Sequence, residues 1–363
     1  MQDRPRRPRI ADVAREAGVS KTAVSFAFNS PGRLNPATAA RIRDVADLLG
    51  YRPNPVARML AQRRTMAVGI LTPQPLSVTF SNPFFGTFGE GAAEAAEGAG
   101  YGLFFVSPLQ GSLARAIGRA TVDGFVAIGL TEDHPEVEQI RRSGLPIVLV
   151  DAPAFPEHGS IEVDDEEGAR GAAAHLLGLG HRELLVIGVE PPVGREARPY
   201  PARADGDDVP GRRLRGYRSA LAARRVALGD ERVVVGPATF AGGAAAFNRA
   251  WEDGLRFSGV LAMSDAMAVG VLRAARDLGL AVPRDLSVVG FDDLEIARQT
   301  EPPLTTVHQP VRRKGAEAVR ILLSLVDGRD GDRAEHLRLP TRLIVRGSSG
   351  PAPRPGGPAT RSG

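Results

Sequence analysis

The sequence predicts a chain in two parts: an N-terminal all-α helix-turn-helix headpiece with a hinge helix, followed by a larger α/β core of two lobes built on parallel sheets. Three observations point there. Residues 10–50 set apolar side chains at helical spacing between a glycine turn and capping residues, eight short apolar runs recur between helical segments from Met66 onward, and basic charge is concentrated at the N-terminal end.

In the headpiece, Ile10, Val13, Ala14 and Ala17 form one stripe of a short helix that Gly18 ends. Ser20 suits the N-cap of a second helix, whose Val24 and Phe28 turn inward against Val13 and Ala14. The outer face is then left with Lys21, Thr22, Ser25, Phe26 and Asn29. These are hydrogen-bonding groups and one apolar ring, suited to base edges, thymine methyls and phosphates in a major groove. A third helix opens at Asn35 and Pro36, buries Ile42, Val45, Leu48 and Leu49, and stops at Gly50. Asn54 and Pro55 repeat the cap-and-proline signal ahead of a hinge helix from Val56 to about Gln62, too short to be stable alone in water. Ala57 allows a partner helix to approach closely, Arg58, Arg63 and Arg64 reach phosphates, and Leu60 is placed to wedge between base pairs in a minor groove.

Residues 1–64 hold 13 Lys and Arg against 5 Asp and Glu, a balance of +8, while the other 299 residues hold 33 against 37, or −4. The overall +4 conceals a footprint suited to a polyanion. Charge, turn glycine, caps and inward stripe agree in one segment, which predicts binding to double-stranded DNA. The absence of cysteine excludes disulfides and thiolate metal sites, and the six histidines show no metal-ligand spacing, so neither metal nor cofactor is expected. Met1 to Arg9 is charged with no apolar run behind it, and no stretch reaches the roughly 18 apolar residues of a membrane span. A cytoplasmic protein without membrane contact is expected.

In the core, Val68–Leu71, Leu103–Val106, Phe125–Ile128 and Ile147–Val150 form one group of apolar runs, and Leu184–Ile187, Val233–Val235, Val260–Met263 and Leu286–Val289 a second. Apolar strands between helices imply parallel sheets covered on both faces, and the break around residues 152–161 implies two lobes with a cleft between them. Ligands of such sheets sit beyond the carboxyl ends of the strands. Asp265 and Asp292 fall there. Asp265 reads both as a helix cap and as a ligand acceptor, whereas Asp293 reads as structural. Enzymatic readings find no support: Gly86, Gly89 and Gly91 lack dinucleotide spacing, Gly242-Gly243 lacks a lysine, and no histidine converges on Asp265 and Asp292. A plain solute-binding protein is opposed by the headpiece, and a fixed architectural DNA binder would not need so large a core.

The runs Ile10-Ala11-Asp12-Val13-Ala14, Ala17-Gly18-Val19-Ser20, Val24-Ser25, Asn29 and Gly50-Tyr51-Arg52-Pro53-Asn54, with Ala57-Arg58 and Leu60, resemble the headpiece and hinge of the lactose repressor and galactose repressor family. The similarity continues to near Arg346. It implies a core like the periplasmic sugar-binding proteins, crossed three times by the chain. It also implies a homodimer on a near-palindromic operator, repressing until a small molecule binds the cleft. The implied effector is a sugar or sugar derivative, with a purine or nucleoside as second choice. Arg213 matches the family's effector-reaching arginine, with Arg212, Arg215 and Arg218 as competing neighbours. Phe84, Phe85 and Phe240 match pocket positions, one of the Phe84–Phe85 pair being core. The chain departs from the family at Phe26, where many members carry arginine and contact guanine, and in the extra Pro-, Arg- and Asp-rich stretch Glu190–Pro210, expected as a surface loop.

The expected organisation is therefore a headpiece at 1–53, a hinge at 54–64 and a core at 65–347, followed by a disordered tail at 348–363. The first lobe is expected over about 65–152 and 291–325, and the second over about 153–290 and 330–347.

Overall fold

The computed structural model describes residues 8–29, 31–54, 59, 64–130, 134–153, 158–190, 206–328 and 335–353. They form two compact units, Met1–Thr65 and Met66–Gly363.

Among its described residues the first unit forms three α-helices, α1 (Ile10–Glu16), α2 (Lys21–Asn29) and α3 (Pro36–Leu48). Gly18, at φ +63°, makes the turn that ends the first segment. Ser20 Oγ accepts the Ala23 N–H at 3.1 Å and Asn35 Oδ1 the Ala37 N–H at 2.9 Å, so two of the sequence-read caps are formed. Val13, Ala14, Ala17, Val24, Ala27, Ile42, Ala46 and Tyr51 make the core. Leu48 does not join it and is 82% exposed. Ala39, Ile42 and Ala46 occupy the inward stripe, and Leu48, six residues beyond Ile42, points away from it at 3.6 residues per turn. The expected hinge positions Ala57, Arg58 and Leu60 lie outside the described residues.

In the second unit the chain first builds β1 (Ala67–Leu71), α4 (Leu76–Thr79), α5 (Pro83–Gly98), β2 (Gly102–Val106), α6 (Leu113–Ile117), β3 (Phe125–Ile128), α7 (Pro135–Arg142), β4 (Ile147–Val150) and β5 (Gly159–Val163). It crosses to build α8 (Asp165–Gly178), β6 (Leu184–Val189), α9 (Val209–Ala223), β7 (Val233–Gly236), α10 (Phe240–Glu252), β8 (Gly259–Ala262), α11 (Asp265–Asp277), β9 (Ser287–Asp292), α12 (Glu295–Gln299) and β10 (Thr305–His308). It returns for α13 (Val311–Asp327) and β11 (His336–Leu339), and crosses again to β12 (Arg342–Ile344).

The strands form two six-stranded sheets, ordered β11-β5-β4-β3-β1-β2 and β12-β10-β9-β8-β6-β7. All pairs are parallel except β10 with β12. Each lobe has two apolar clusters, as parallel sheets covered by helices require.

Each sheet holds two strands beyond the four read from apolar runs, and these move the lobe borders. Gly159–Val163 and His336–Leu339 are the added strands of the first sheet, and Thr305–His308 and Arg342–Ile344 those of the second, where Ser287–Asp292 also stays. The first lobe thus extends past 152 to β5 and takes in β11, from the stretch 330–347 expected in the second, while the second lobe retains 291–308, expected in the first. Val209 and Pro210, expected in the extra loop, open α9 behind an Asp208 cap; residues 191–205 lie outside the described set.

The tail assignment changes for residues 348–353, while 354–363 lie outside the described residues. The Ser348 N–H donates to the Pro303 carbonyl at 3.0 Å and its Oγ to the Val288 carbonyl at 2.6 Å. The Gly350 carbonyl meets His181 Nε2 at 3.0 Å, and the Ala352 N–H donates to the Leu179 carbonyl at 2.8 Å. Residues 348–353 are ordered because they satisfy these otherwise open backbone groups of the second lobe.

Candidate functional site

The carboxyl ends of both sheets meet around a cavity of about 530 Å³, within the roughly 300–1,000 Å³ usual for small-molecule sites. Thr72 after β1, Gly129 after β3, Asp151 after β4, Glu190 after β6, Ser264 after β8 and Asp292 at the end of β9 all line it.

Helix starts supply the walls. Asn82 caps α5 by accepting the Phe84 N–H at 3.0 Å, which fixes Phe84 and Phe85 at its first turn with their rings edge to face, 5.4 Å apart. Opposite them, Thr239 caps α10 and Ser264 caps α11, accepting the Gly242 and Met267 N–H groups at 3.0 and 3.2 Å. Both capping residues also line the cavity.

The floor is ionic. Lys314 on α13, fully buried, donates to Asp151 Oδ1 at 2.6 Å and to Gln309 Oε1 at 2.5 Å. Gln309 Nε2 donates to Asp292 Oδ1 at 2.5 Å, and Arg213 approaches the same oxygen at 4.0 Å. Arg213 Nε donates to Asp165 Oδ1 and Arg212 to Asp165 Oδ2, each at 2.8 Å, while Arg212 also reaches the Asp151 carbonyl at 3.2 Å. These contacts close a circuit through both lobes. Arg213 is held further by the Met263 carbonyl and by the Phe291 ring, 3.5 Å beneath its guanidinium. Lys314 is seated here because α13 crosses α5 closely: a Cβ on Gly91 would fall 1.8 Å from the Arg312 carbonyl.

Burial sets the titration of the carboxyls. It works against the charge of Asp165, but Arg213, Arg212 and Lys314 outweigh it and hold this group below the usual range. Burial pushes Asp292 up to about 6 against the pull of Arg213 and the Gln309 hydrogen bond. Asp265, with no cation beside it to offset burial and the neighbouring Asp292, lies well above an ordinary carboxyl.

Phe84, Phe85, Arg213 and Asp292 therefore line the cavity as the sequence led us to expect. Of the four neighbouring arginines Arg213 is the one that lines the cavity; Arg212 shares Asp165 with it from behind, Arg215 turns to Glu166 and Arg218 to Asp230. Two expectations are corrected. Asp265 neither caps α11 nor lines the cavity; Ser264, one residue earlier, does both. The Asp265 carboxyl is fully buried, accepting the Leu294 N–H at 2.8 Å and the Thr306 hydroxyl at 2.5 Å. It thereby holds a turn in which Asp292 and Asp293 take φ of +126° and +59°, strained for residues with side chains. Phe240 is outside the cavity lining, its ring below Arg273 at 5.2 Å, because Thr239 precedes it as the cap. Asp151, Ser264 and Thr239 could have been found by the strand-end rule; Asp165, Gln309 and Lys314 become apparent only through their partners.

On the headpiece, Lys21, Thr22 and Asn54 are exposed, and Ser25, Phe26 and Asn29 half-buried. The Asn29 amide donates to Ser25 Oγ at 3.3 Å, and the Arg33 guanidinium lies 5.5 Å from the Phe26 ring centre. Among the described residues no group of three His, Cys, Asp or Glu could hold a metal ion, and no helix is long and apolar enough to cross a membrane.

Residues 9–54 match the family of bacterial regulatory proteins, lacI family, and residues 173–349 match a periplasmic binding protein-like domain. The HTH-type transcriptional regulator CelR of Thermobifida fusca is 32% identical, over 95% of this chain and 99% of its own. Catabolite control protein A of Priestia megaterium is 30% identical, over 94% and 98%. Among solved structures, a transcriptional regulator CelR-cellobiose complex aligns with a TM-score of 0.68 at 29% identity, covering 94% of this chain and all of that one. The lac repressor dimer bound to operator and the anti-inducer ONPF shares the fold, with a TM-score of 0.78 at 24% identity over 95% of this chain and 100% of the other.

Proposed function

Since the chain belongs to the lacI family of bacterial transcriptional regulators, we propose that it is a homodimeric repressor released from its operator by a sugar or sugar derivative bound between the lobes. The observation that carries this is the cavity itself. It sets carboxylate acceptors, Asp151 and Asp292, and the hydroxyls of Thr72, Thr239 and Ser264 around a pair of aromatic rings. That combination suits a ligand with many hydroxyls and an apolar ring face. The similar CelR structure in complex with cellobiose supports the same ligand class. A purine or nucleoside is the second choice, favoured by the partly exposed Phe85 ring as a stacking surface.

In this reading Lys21, Thr22, Ser25, Phe26 and Asn29 enter the major groove, and residues 54–64 act as a hinge whose Asn54, Ala57, Arg58 and Leu60 engage the operator centre. A ligand bridging Asp292 of one lobe and Asp151 of the other stabilises one arrangement of the lobes over another. DNA and ligand are then coupled reciprocally, typically by about 1–3 kcal/mol. The chain acts as a binder of two ligands and not as an enzyme.

The test is binding of the purified protein to fragments from upstream of its own gene, across a salt series, with and without a panel of sugars and nucleosides. Tight site-specific binding weakened by a sugar is the expected result. Weak, salt-sensitive binding with no sequence preference would contradict it.

A further inference from the structure

We propose that Phe26 reads a thymine 5-methyl group in each operator half-site, and that Arg33, held over its ring, reaches the neighbouring phosphate. The assignment rests on operator binding through α2.

Phe26 is a half-buried aromatic ring that stands outside the apolar core of the headpiece. The core gathers Val24, Ala27 and Phe28 from the same helix and leaves Phe26 out. It lies four residues after Thr22 and three before Asn29, so it shares their face of the helix. Its contact is instead with Arg33, carried on the short turn Pro31–Arg33 that follows α2, at 5.5 Å from the ring centre. Arg33 is exposed, so its guanidinium is steered by the ring without being buried by it.

A phenyl ring offers neither donor nor acceptor. In a major groove the four base-pair edges present acceptors, amino donors and one apolar group, the thymine methyl. Pressed against guanine or cytosine, the ring would strip water from O6, N7 or N4 and return no hydrogen bond, a penalty that discriminates by exclusion. Against thymine it removes one methyl group from water. The charge at this spot therefore comes from Arg33, outside the base-reading position, where it serves the backbone and not the sequence.

The experiment uses full-length protein. Preferred duplexes are selected from a randomised pool, and each thymine in the selected half-sites is then replaced singly by uracil, which deletes only the methyl. The expected result is that uracil at one half-site position weakens wild-type binding about fourfold, the value of one methyl group removed from water. Phe26→Ala should bind the thymine and uracil duplexes equally at that position, while Phe26→Leu, which retains an apolar side chain, keeps a preference for thymine. Arg33→Ala should weaken binding to all duplexes alike and make the dependence of log affinity on log salt shallower by about 0.9 for each phosphate that is no longer neutralised. Indifference of the wild type to uracil at every position, or a uracil effect that persists in Phe26→Ala, would overturn the methyl assignment. An unchanged salt slope in Arg33→Ala would overturn the phosphate contact. Enrichment of no sequence at all would remove operator binding itself, and this assignment with it, a result distinct from specific binding that ignores the methyl.

Discussion

The described headpiece buries no charged side chain, whereas the floor of the cleft buries Asp165, Arg212, Arg213, Asp292 and Lys314. Residues 8–54 are held by small apolar side chains and local caps, and the side chains proposed to meet DNA stand outside that core. Recognition and stability are thus separable in the headpiece. In the core the groups that line or underlie the cavity also bind the two lobes to each other, so a substitution there changes both properties at once.

The sharpest way to break this contrast is Asp165→Ala. It leaves Arg212 and Arg213 buried without the carboxylate they share, and removing one partner of a buried ion pair costs about 3–5 kcal/mol. Urea denaturation should show that loss in the core transition; a change below about 1 kcal/mol would mean the circuit is not structural.

Asp292→Asn comes next. It keeps the shape and loses the charge, so sugar affinity should fall by roughly 10- to 100-fold, the value of about 1.5–3 kcal/mol for hydrogen bonds to a charged group. Calorimetric titration checks it. The proposed role of the same group also predicts that sugar binding depends on pH. With Asp292 at about 6, the ionised acceptor is present above neutrality and lost as pH falls through 6, so affinity declines on acidification in the wild type and stays flat in Asp292→Asn. Unfolding does not explain the decline. A folded-state carboxyl raised above its unfolded value binds protons more tightly, so its contribution to stability grows as pH falls across that window. An affinity independent of pH between 5 and 8 would remove Asp292 from ligand contact.

Two smaller effects sharpen the headpiece side. Ser20→Ala should cost about 1 kcal/mol of headpiece stability by removing the cap on α2, read by thermal melting, with the core transition unmoved. Leu48→Lys should shift headpiece stability by no more than about 0.5 kcal/mol, since its side chain is 82% exposed. A larger loss would show that Leu48 packs against something.

The same contrast explains what the sequence makes legible. The headpiece is legible because its signals are local: Gly18, Ser20 and the Asn35-Pro36 pair each act within four residues. Leu48 escapes because hydrophobicity does not guarantee burial off the inward stripe. In the core, apolar strands such as Phe125–Ile128 stand out, while Thr305–His308 and His336–Leu339, equally short, do not, being mixed in polarity. Strand ends locate the cleft but not the individual residue, which is why the pattern points to Asp265 where Ser264 faces the cavity. Lys314 and Asp151 are 163 residues apart in sequence, and Arg212 and Asp165 47 apart. No local pattern announces such pairs: the crossing of the chain between lobes brings Lys314 to Asp151, and the packing of α9 on α8 within the second lobe brings Arg212 to Asp165.

The central claim is that one chain couples an operator and a cleft ligand, and reciprocity tests it most directly. Operator affinity should be measured with and without the sugar that binds the cleft, and sugar affinity with and without operator. The account predicts the same factor in both directions, between about 5 and 150, with each ligand weakening the other. A sugar that binds the cleft and leaves operator affinity unchanged would contradict it.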